Sequence, residues 1–292
     1  MKKTGCWVEA MRLRTLPVSV AGVITAIGYA VLGGTFRALP AFLCLVFAVL
    51  AQIASNFANE YYDYKAGLDR PGREGPRRGV TEGDITPAAM KLATFLTLGA
   101  ACAVGCSLLI WGPWWLIPVG ITIALGVMAY STGPYPLSHH GLGEVAVVCF
   151  FGIIPVNMTF FLQAGHFDLS VLFGSLAIGL MGANVLIVNN YRDLEDDAAV
   201  GKHTLAVIMG RRFASTLYLL NGCFAVALMA VTWLVLPAWT VIFPGFYLVA
   251  HIFVWLRIVS RRGMALNPML GITAILMLVY SVFFLAASMS AV

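Results

Sequence analysis

Gln52-Ile-Ala-Ser-Asn-Phe-Ala-Asn-Glu-Tyr-Tyr-Asp-Tyr-Lys-Ala-Gly-Leu-Asp69 is the stretch of sequence around which the chain is organised. It begins within a long apolar run and ends in an acidic cluster. Asn59 and Asp63 are four residues apart and therefore share one face of a helix. Gly67 predicts the end of that helix, and Asp69 reaches Asp63 only if the chain folds back there, because six residues are not a whole number of turns. Carboxylates at a membrane helix end need partners, so we expect cationic groups beside them.

The second half of the chain repeats this pattern. Val188-Asn-Asn-Tyr-Arg-Asp193 matches Ala58-Asn-Glu-Tyr-Tyr-Asp63 at the Asn, Tyr and Asp positions, 130 residues further on. Asn189, Asp193 and Asp197 are spaced to lie along one face of a helix. Two acidic motifs, at 59–69 and 189–197, each closing an apolar helix, indicate an internal repeat.

The composition excludes a soluble protein. Of 292 residues, 60% are hydrophobic and only 11% are charged, whereas soluble domains carry about 25% charged residues. We expect one all-α membrane domain, residues 1–292, with its helices around a central cavity. A membrane span needs about 20 apolar residues, which predicts nine spans at 16–34, 39–62, 88–110, 113–131, 144–163, 169–190, 213–235, 238–257 and 268–290.

The placement of charge predicts the orientation of these spans. They put 17 of the 18 Lys and Arg residues on one side of the membrane and only Arg37 on the other. Because cytoplasmic loops are enriched in Lys and Arg, the N-terminus and both acidic motifs are predicted to be cytoplasmic. We therefore expect a multi-pass protein of the cytoplasmic (inner) membrane, in contact with lipid and with no nucleic-acid partner.

The acidic motifs suit a hard cation bound through oxygen. Mg²⁺ typically takes one or two carboxylates together with substrate phosphates, and nearby cations would donate charge-assisted hydrogen bonds to those phosphates. At a membrane surface this combination predicts a clamp for a diphosphate whose other end is lipid, such as a prenyl diphosphate. Aromatic side chains near the motifs would shield an allylic cation from water; they are Phe57, Tyr61, Tyr62, Phe160, Phe161 and Tyr191.

Further motifs accompany the acidic ones from about residue 10 to the last span. They are Arg12-Leu-Arg-Thr-Leu-Pro17, Gly75-Pro-Arg-Arg78, Tyr130-Ser-Thr-Gly-Pro-Tyr-Pro-Leu137, Gly141-Leu-Gly-Glu144 and Gly201-Lys-His-Thr-Leu205. With these motifs the sequence resembles the UbiA superfamily of intramembrane aromatic prenyltransferases, and within it the 1,4-dihydroxy-2-naphthoate prenyltransferases of menaquinone synthesis. The resemblance implies a Mg²⁺-dependent transfer of a polyprenyl group from polyprenyl diphosphate to 1,4-dihydroxy-2-naphthoate, with loss of the carboxylate and of diphosphate. The product would be demethylmenaquinone.

The resemblance also implies site residues. The Mg²⁺ ligands would be Asn59, Asp63, Asp69, Asn189, Asp193 and Asp197. The catalytic residues would be Asp63, Asp193, Tyr130 and Arg192. The substrate-binding residues would be Arg14, Arg77, Arg78, Tyr135, His139 and Lys202.

Several positions keep alternative interpretations; Arg77, Arg78 and Lys202, for example, could instead bind anionic lipid or determine topology. Many relatives place a Lys or Arg soon after the Tyr-Pro of the third cytoplasmic loop, where this chain has none from 131 to 143; His139 or His140 is the candidate substitute. Arg14 is either an interfacial anchor or a contact for the acceptor carboxylate. Glu144 opens a helix, where an acid is favourable, and is either a cap or a catalytic group.

Two other functions compete with the naphthoate transferase. The first is the same chemistry on 4-hydroxybenzoate or another ring. The second is a cation-coupled transporter, because intramembrane acids also mark ion paths. Transporter sites lie near the bilayer midplane, whereas these acids lie at predicted helix ends beside Arg-rich loops, which favours the enzyme.

Overall fold

A computed structural model describes residues 3–69 and 75–292, and within those two ranges the chain folds into helices with no β-strand. The helices are joined mainly by turns and 3-10 segments. In order they are α1 Lys3–Ala10, α2 Leu16–Leu32, α3 Ala38–Lys65, α4 Pro87–Ser107, α5 Leu116–Ala129, α6 Gly143–Val147, α7 Ile154–Ala164, α8 Leu169–Arg192, α9 Leu194–Ala199, α10 Leu205–Leu228, α11 Ala230–Val235, α12 Ile242–Val259 and α13 Asn267–Ser290.

Seven helical segments of the described residues are long and apolar enough to cross a membrane. They coincide with seven of the nine predicted spans, which confirms the all-α membrane class. The predicted span 113–131 corresponds to α5, whose 14 residues extend only about 21 Å, less than the ~30 Å hydrocarbon core. The predicted span 213–235 corresponds to α10 and α11, which are interrupted at Met229. The count of nine and the cytoplasmic N-terminus stay predictions.

Helix α8 is the central element of the bundle. It packs against α2, α7, α10 and α13. In its most apolar stretch of 18 residues, 72% are buried. Small residues make this possible, because glycine lets helix backbones approach closely. A Cβ placed on Gly152 would lie 2.4 Å from the Cα of Gly179 on α8. The α6–α7 segment therefore depends on glycine at this contact.

The α6–α7 segment is not a uniform α-helix. Between the two helices, Val148–Ile153 forms a π-helical turn. Such turns are rare and commonly accompany functional sites. This one carries Phe150 and Phe151, which line the large apolar cleft described below.

The two acidic motifs end their helices differently. Helix α3 ends at Lys65, and Gly67 adopts a φ of +70° as the chain turns back. Arg78 then lies between Asp63 and Asp69, so the predicted fold-back is confirmed. In the second motif, Asn189, Asp193 and Asp197 line one cavity, as their spacing predicts, but the helix that carries them is interrupted. Helix α8 ends at Arg192 and α9 begins at Leu194, because Asp193 leaves the helical conformation.

Candidate active site

A polar cavity of about 140 Å³ lies where α3 and α8 end. Among its lining residues are Arg12, Asn59, Arg78, Tyr130, Glu144, Asn189, Asn190, Arg192, Asp193, Asp197 and Lys202. It adjoins an apolar cleft of about 530 Å³ between α2, α3, α4, α5 and the α6–α7 segment. Five residues line both spaces and mark their junction: Gln52, Ser55, Tyr130, Val147 and Phe151.

Asp63 is the centre of the first acidic motif. Its side chain is only 1% exposed. The Oδ2 atom lies 3.5 Å from Lys202 Nζ and 3.9 Å from Arg78 Nη2, and Oδ1 lies 3.3 Å from His139 Nε2. The predicted cationic partners are therefore present. Asp63 and Asp69 are not among the residues that line the cavity, but both contact Arg78, which does; Asp69 Oδ2 lies 3.3 Å from Arg78 Nε.

Asn59 connects this motif to the start of the chain. Its Oδ1 accepts hydrogen bonds from Arg12 Nη2 at 2.6 Å and from Arg78 Nη2 at 3.1 Å. Its Nδ2 donates to Asp63 Oδ2 at 3.3 Å, as their spacing of four residues predicts. Among the described residues, Arg12 is the single non-glycine residue with a positive φ, 52°. That backbone places the Arg12 side chain in the cavity wall, a role that sequence reasoning missed.

Arg192 organises the second acidic motif. Its Nε and Nη2 atoms donate to the two carboxylate oxygens of Asp193, at 2.6 and 2.8 Å. Nη2 also donates to Asn189 Oδ1 at 2.8 Å, and Nη1 donates to Asn267 Oδ1 at 2.9 Å. Both partners of the ion pair are almost fully buried. Asn267 on α13 carries no sequence signal and was also missed.

Two loops close over the motifs and are joined to each other. The backbone N–H of His203 donates to the carbonyl of His139 at 3.0 Å, and His140 and His203 form an isolated parallel bridge. This contact holds Lys202 and His139 on either side of Asp63. The loop 131–143 and the loop after α9 therefore form one cover over the first motif.

Four predicted substrate-binding residues lie outside the lining of the polar cavity, namely Arg14, Arg77, Tyr135 and His139, whose Nε2 contacts Asp63. Arg77 pairs with Asp84 and has 37% of its side chain exposed. Tyr135 is 55% exposed and stacks on His140, with ring centroids 3.7 Å apart. Arg14 is exposed, while Arg12 of the same motif lines the cavity.

The predicted aromatic shield is also placed differently. None of the six aromatic residues proposed from their nearness to the motifs appears among the described residues that line either space. Tyr191, for example, is buried in the core, beneath Arg211 and Arg262. The aromatic rings that do line the two spaces are Phe47, Tyr130, Phe150 and Phe151.

The sequence matches a known protein family over most of its length. The model of the UbiA prenyltransferase family matches residues 21–270. The chain is 35% identical to a 1,4-dihydroxy-2-naphthoate octaprenyltransferase of Haemophilus influenzae and 37% identical to that of Escherichia coli, each over 72% of this chain and 70% of the relative. It is 37% identical to the same-named protein of Mycobacterium tuberculosis, over 76% of this chain and 75% of the relative.

Solved structures share the fold. A UbiA homologue from Archaeoglobus fulgidus bound to GPP and Mg²⁺ superposes with a TM-score of 0.70 at 15% identity, covering 96% of this chain and 99% of its own. The unliganded UbiA homologue from Aeropyrum pernix gives a TM-score of 0.71 at 14% identity, covering 92% and 97%. At these identities the likeness concerns the fold.

Proposed function

The chain belongs to the UbiA prenyltransferase family, and on this premise we propose that it transfers a polyprenyl group from a prenyl diphosphate to 1,4-dihydroxy-2-naphthoate. The transfer would form a bond between the allylic carbon and the ring, release diphosphate and carbon dioxide, and give demethylmenaquinone in its reduced, hydroquinone form. One observation carries the proposal: a cavity lined by acids and cations opens at Tyr130 onto an apolar cleft. Such a pair of spaces suits a ligand with a charged head and a hydrocarbon tail.

The diphosphate would bind in the polar cavity. Four cationic side chains line it and can donate charge-assisted hydrogen bonds to phosphate oxygens: Arg12, Arg78, Arg192 and Lys202. These donors would stabilise the negative charge that develops on the leaving diphosphate. Arg77 is left out of this set because its guanidinium pairs with Asp84 on the exposed side of the loop.

The donor set also fits Mg²⁺. In the described ranges no three His, Cys, Asp or Glu side chains are grouped closely enough to hold a metal by themselves. Mg²⁺ does not require such a group, because it commonly takes one or two carboxylates plus substrate phosphates and water. We propose as ligands the carboxylates and amides of the two motifs, namely Asn59, Asp63, Asp69, Asn189, Asp193 and Asp197. Bound Mg²⁺ would supply Lewis-acid stabilisation of the diphosphate.

The prenyl tail would occupy the apolar cleft. Phe151 and Tyr130 lie at its junction with the polar cavity, where their ring faces would stabilise positive charge on the allylic carbon. Ile121 and Leu125 on α5 line the cleft and are more than half exposed. We propose that the cleft opens to lipid along α5, so that a tail longer than the cleft continues into the bilayer.

The orientation belongs to the same proposal. Arg37 precedes the first residue of α3 and Lys65 is its last, so they are separated by about 42 Å along a 28-residue helix. The first acidic motif, and Arg78 in contact with it, lie at the Lys65 end. We propose one domain with an internal repeat, in the cytoplasmic (inner) membrane, with its active site on the cytoplasmic side.

An enzyme assay tests the function directly. Detergent-purified protein is incubated with a long-chain prenyl diphosphate, Mg²⁺ and either 1,4-dihydroxy-2-naphthoate or 4-hydroxybenzoate, and products are identified by mass. We expect a decarboxylated prenylated product from the naphthoate alone. Chelation by EDTA should abolish it, and added Mg²⁺ should restore it. Product from 4-hydroxybenzoate alone would support prenyl transfer but reject 1,4-dihydroxy-2-naphthoate as the acceptor. Failure to bind any prenyl diphosphate would favour the transporter.

Neighbouring arginines give a matched test of diphosphate binding. Arg78→Gln should raise the KM for prenyl diphosphate by about 10- to 100-fold, the equivalent of a lost hydrogen bond to a charged group. Arg77→Gln should change it by less than about threefold, as expected of an exposed ion pair. Steady-state kinetics at saturating naphthoate measures both. Equal effects of the two variants would reject the placement of Arg78 at the diphosphate.

A further inference from the structure

Glu144 is a buried carboxylate with one oxygen unaccounted for. The residue is 7% exposed and lines the polar cavity. Its Oε1 accepts a hydrogen bond from Asn190 Nδ2 at 2.9 Å. Its Oε2 is buried without a hydrogen-bond partner. Because native proteins pair nearly all buried polar groups, this oxygen points to a ligand that supplies a donor.

Glu144 lies beside the junction of the cavity and the cleft. Val147, one turn further along α6, lines both spaces, as does Tyr130. A Cβ placed on the neighbouring Gly143 would lie 3.7 Å from the Tyr130 hydroxyl. The reacting end of a prenyl chain would lie at this junction, with its head in the cavity and its tail in the cleft. A ring that attacks it must therefore approach Glu144.

The two motifs of the repeat differ at the position that contacts Glu144. Asn190 occupies the position that Glu60 holds in the first motif. Glu60 Oε1 accepts a hydrogen bond from the backbone N–H of Val80 at 3.1 Å and so anchors a loop. Asn190 instead donates to Glu144. A favourable charge at a helix start explains neither the burial of Glu144 nor its contact with Asn190.

We propose that Oε2 of Glu144 accepts a hydrogen bond from a ring hydroxyl of the aromatic acceptor, while Asn190 holds the carboxylate in place. This inference rests on the proposed prenyl transfer and names the residue that recognises its acceptor. The hydrogen bond orients the ring at the junction and increases the electron density of the attacking carbon. It also selects hydroxylated rings, because an acceptor without the hydroxyl leaves the buried oxygen unpaired.

The test separates the hydroxyl from the rest of the ring. In Glu144→Leu, the KM for 1,4-dihydroxy-2-naphthoate should rise by about 10- to 100-fold, with the KM for prenyl diphosphate changed by less than about twofold. Naphthalene-2-carboxylate, which has no hydroxyl, should inhibit Glu144→Leu at least as potently as wild type, because the variant has no buried oxygen to leave unpaired. Glu144→Gln keeps the shape of the side chain and a neutral hydrogen-bond acceptor. Its KM for 1,4-dihydroxy-2-naphthoate should therefore lie between those of wild type and Glu144→Leu.

Glu60→Gln is the control for loss of a buried carboxylate. It should lower the thermal midpoint without changing the preference for the hydroxylated ring. The inference would be overturned if Glu144→Leu and Glu144→Gln weakened the binding of 1,4-dihydroxy-2-naphthoate and of naphthalene-2-carboxylate by the same factor. A raised KM for prenyl diphosphate in these variants would overturn it as well. If the wild-type protein prenylates a different hydroxylated ring, the proposed acceptor is wrong, and the Glu144 variants are measured with that ring instead. If it prenylates no ring, both the proposed function and this inference fail.

Discussion

Asp63→Asn is expected to reduce turnover by about a hundredfold or more, the scale on which one preorganised charge-stabilising group acts. Asparagine keeps the shape of the side chain and removes its charge. The carboxylate lies within 4 Å of Arg78, His139 and Lys202, so it orients the cations that are proposed to bind diphosphate. It is also a proposed Mg²⁺ ligand.

Product formation is measured over a range of Mg²⁺ concentrations. If Asp63 contributes to metal binding, the variant should need more Mg²⁺ to reach its reduced maximum. Asp84→Asn is the matched control, because Asp84 is also an Arg-paired aspartate but pairs with Arg77 away from the cavity. Wild-type turnover in Asp63→Asn, at ordinary Mg²⁺, would remove the first acidic motif from the mechanism.

Arg192→Met is expected to give the largest loss of stability. The variant removes both hydrogen bonds from Arg192 to the buried carboxylate of Asp193. Breaking a buried ion pair on one side typically costs about 3–5 kcal/mol. The contacts of Arg192 with Asn189 and Asn267 are lost as well. We expect a lowered thermal midpoint in detergent together with loss of activity.

Glu195→Gln provides the comparison with an exposed pair. Its hydrogen bond with Arg211 lowers the pKa of Glu195 below the usual value, so the carboxylate is charged at neutral pH and the pair weakens only as the pH falls through that lowered pKa. The Glu195 side chain is 69% exposed, and such pairs contribute at most about 1 kcal/mol. If the thermal midpoint fell no further in Arg192→Met than in Glu195→Gln, the buried pair of Arg192 and Asp193 would not have the stabilising role expected of it.

Local spacing predicted much of the first motif. The interval of four residues brings Asn59 and Asp63 into hydrogen-bond contact. Gly67 turns the chain so that Asp69 meets the same arginine as Asp63. These features depend on helical geometry and on glycine's access to positive φ, both of which are written in a short stretch of sequence. The need of buried carboxylates for cations is equally general.

Other features depend on contacts that short-range patterns do not encode. Arg77 and Arg78 are adjacent and identical, and only the path of the loop places Arg78 against Asp63. Arg12 reaches the cavity through a left-handed backbone conformation that non-glycine residues rarely adopt. The aromatic residues that line the cleft include two on a π-helical turn, which an analysis based on α-helical periodicity cannot anticipate.

That π-helical turn constrains how natural variants of this chain can differ in length. A π-helical turn holds more residues than an α-helical one, so deleting or inserting a residue between Glu144 and Pro155 would either remove this turn or rotate the two ends of the segment against each other. The unpaired carboxylate, the junction aromatic Phe151 and the Gly152 contact would lose their common register. Substitutions can accumulate in this segment, whereas changes in its residue count would be removed by selection.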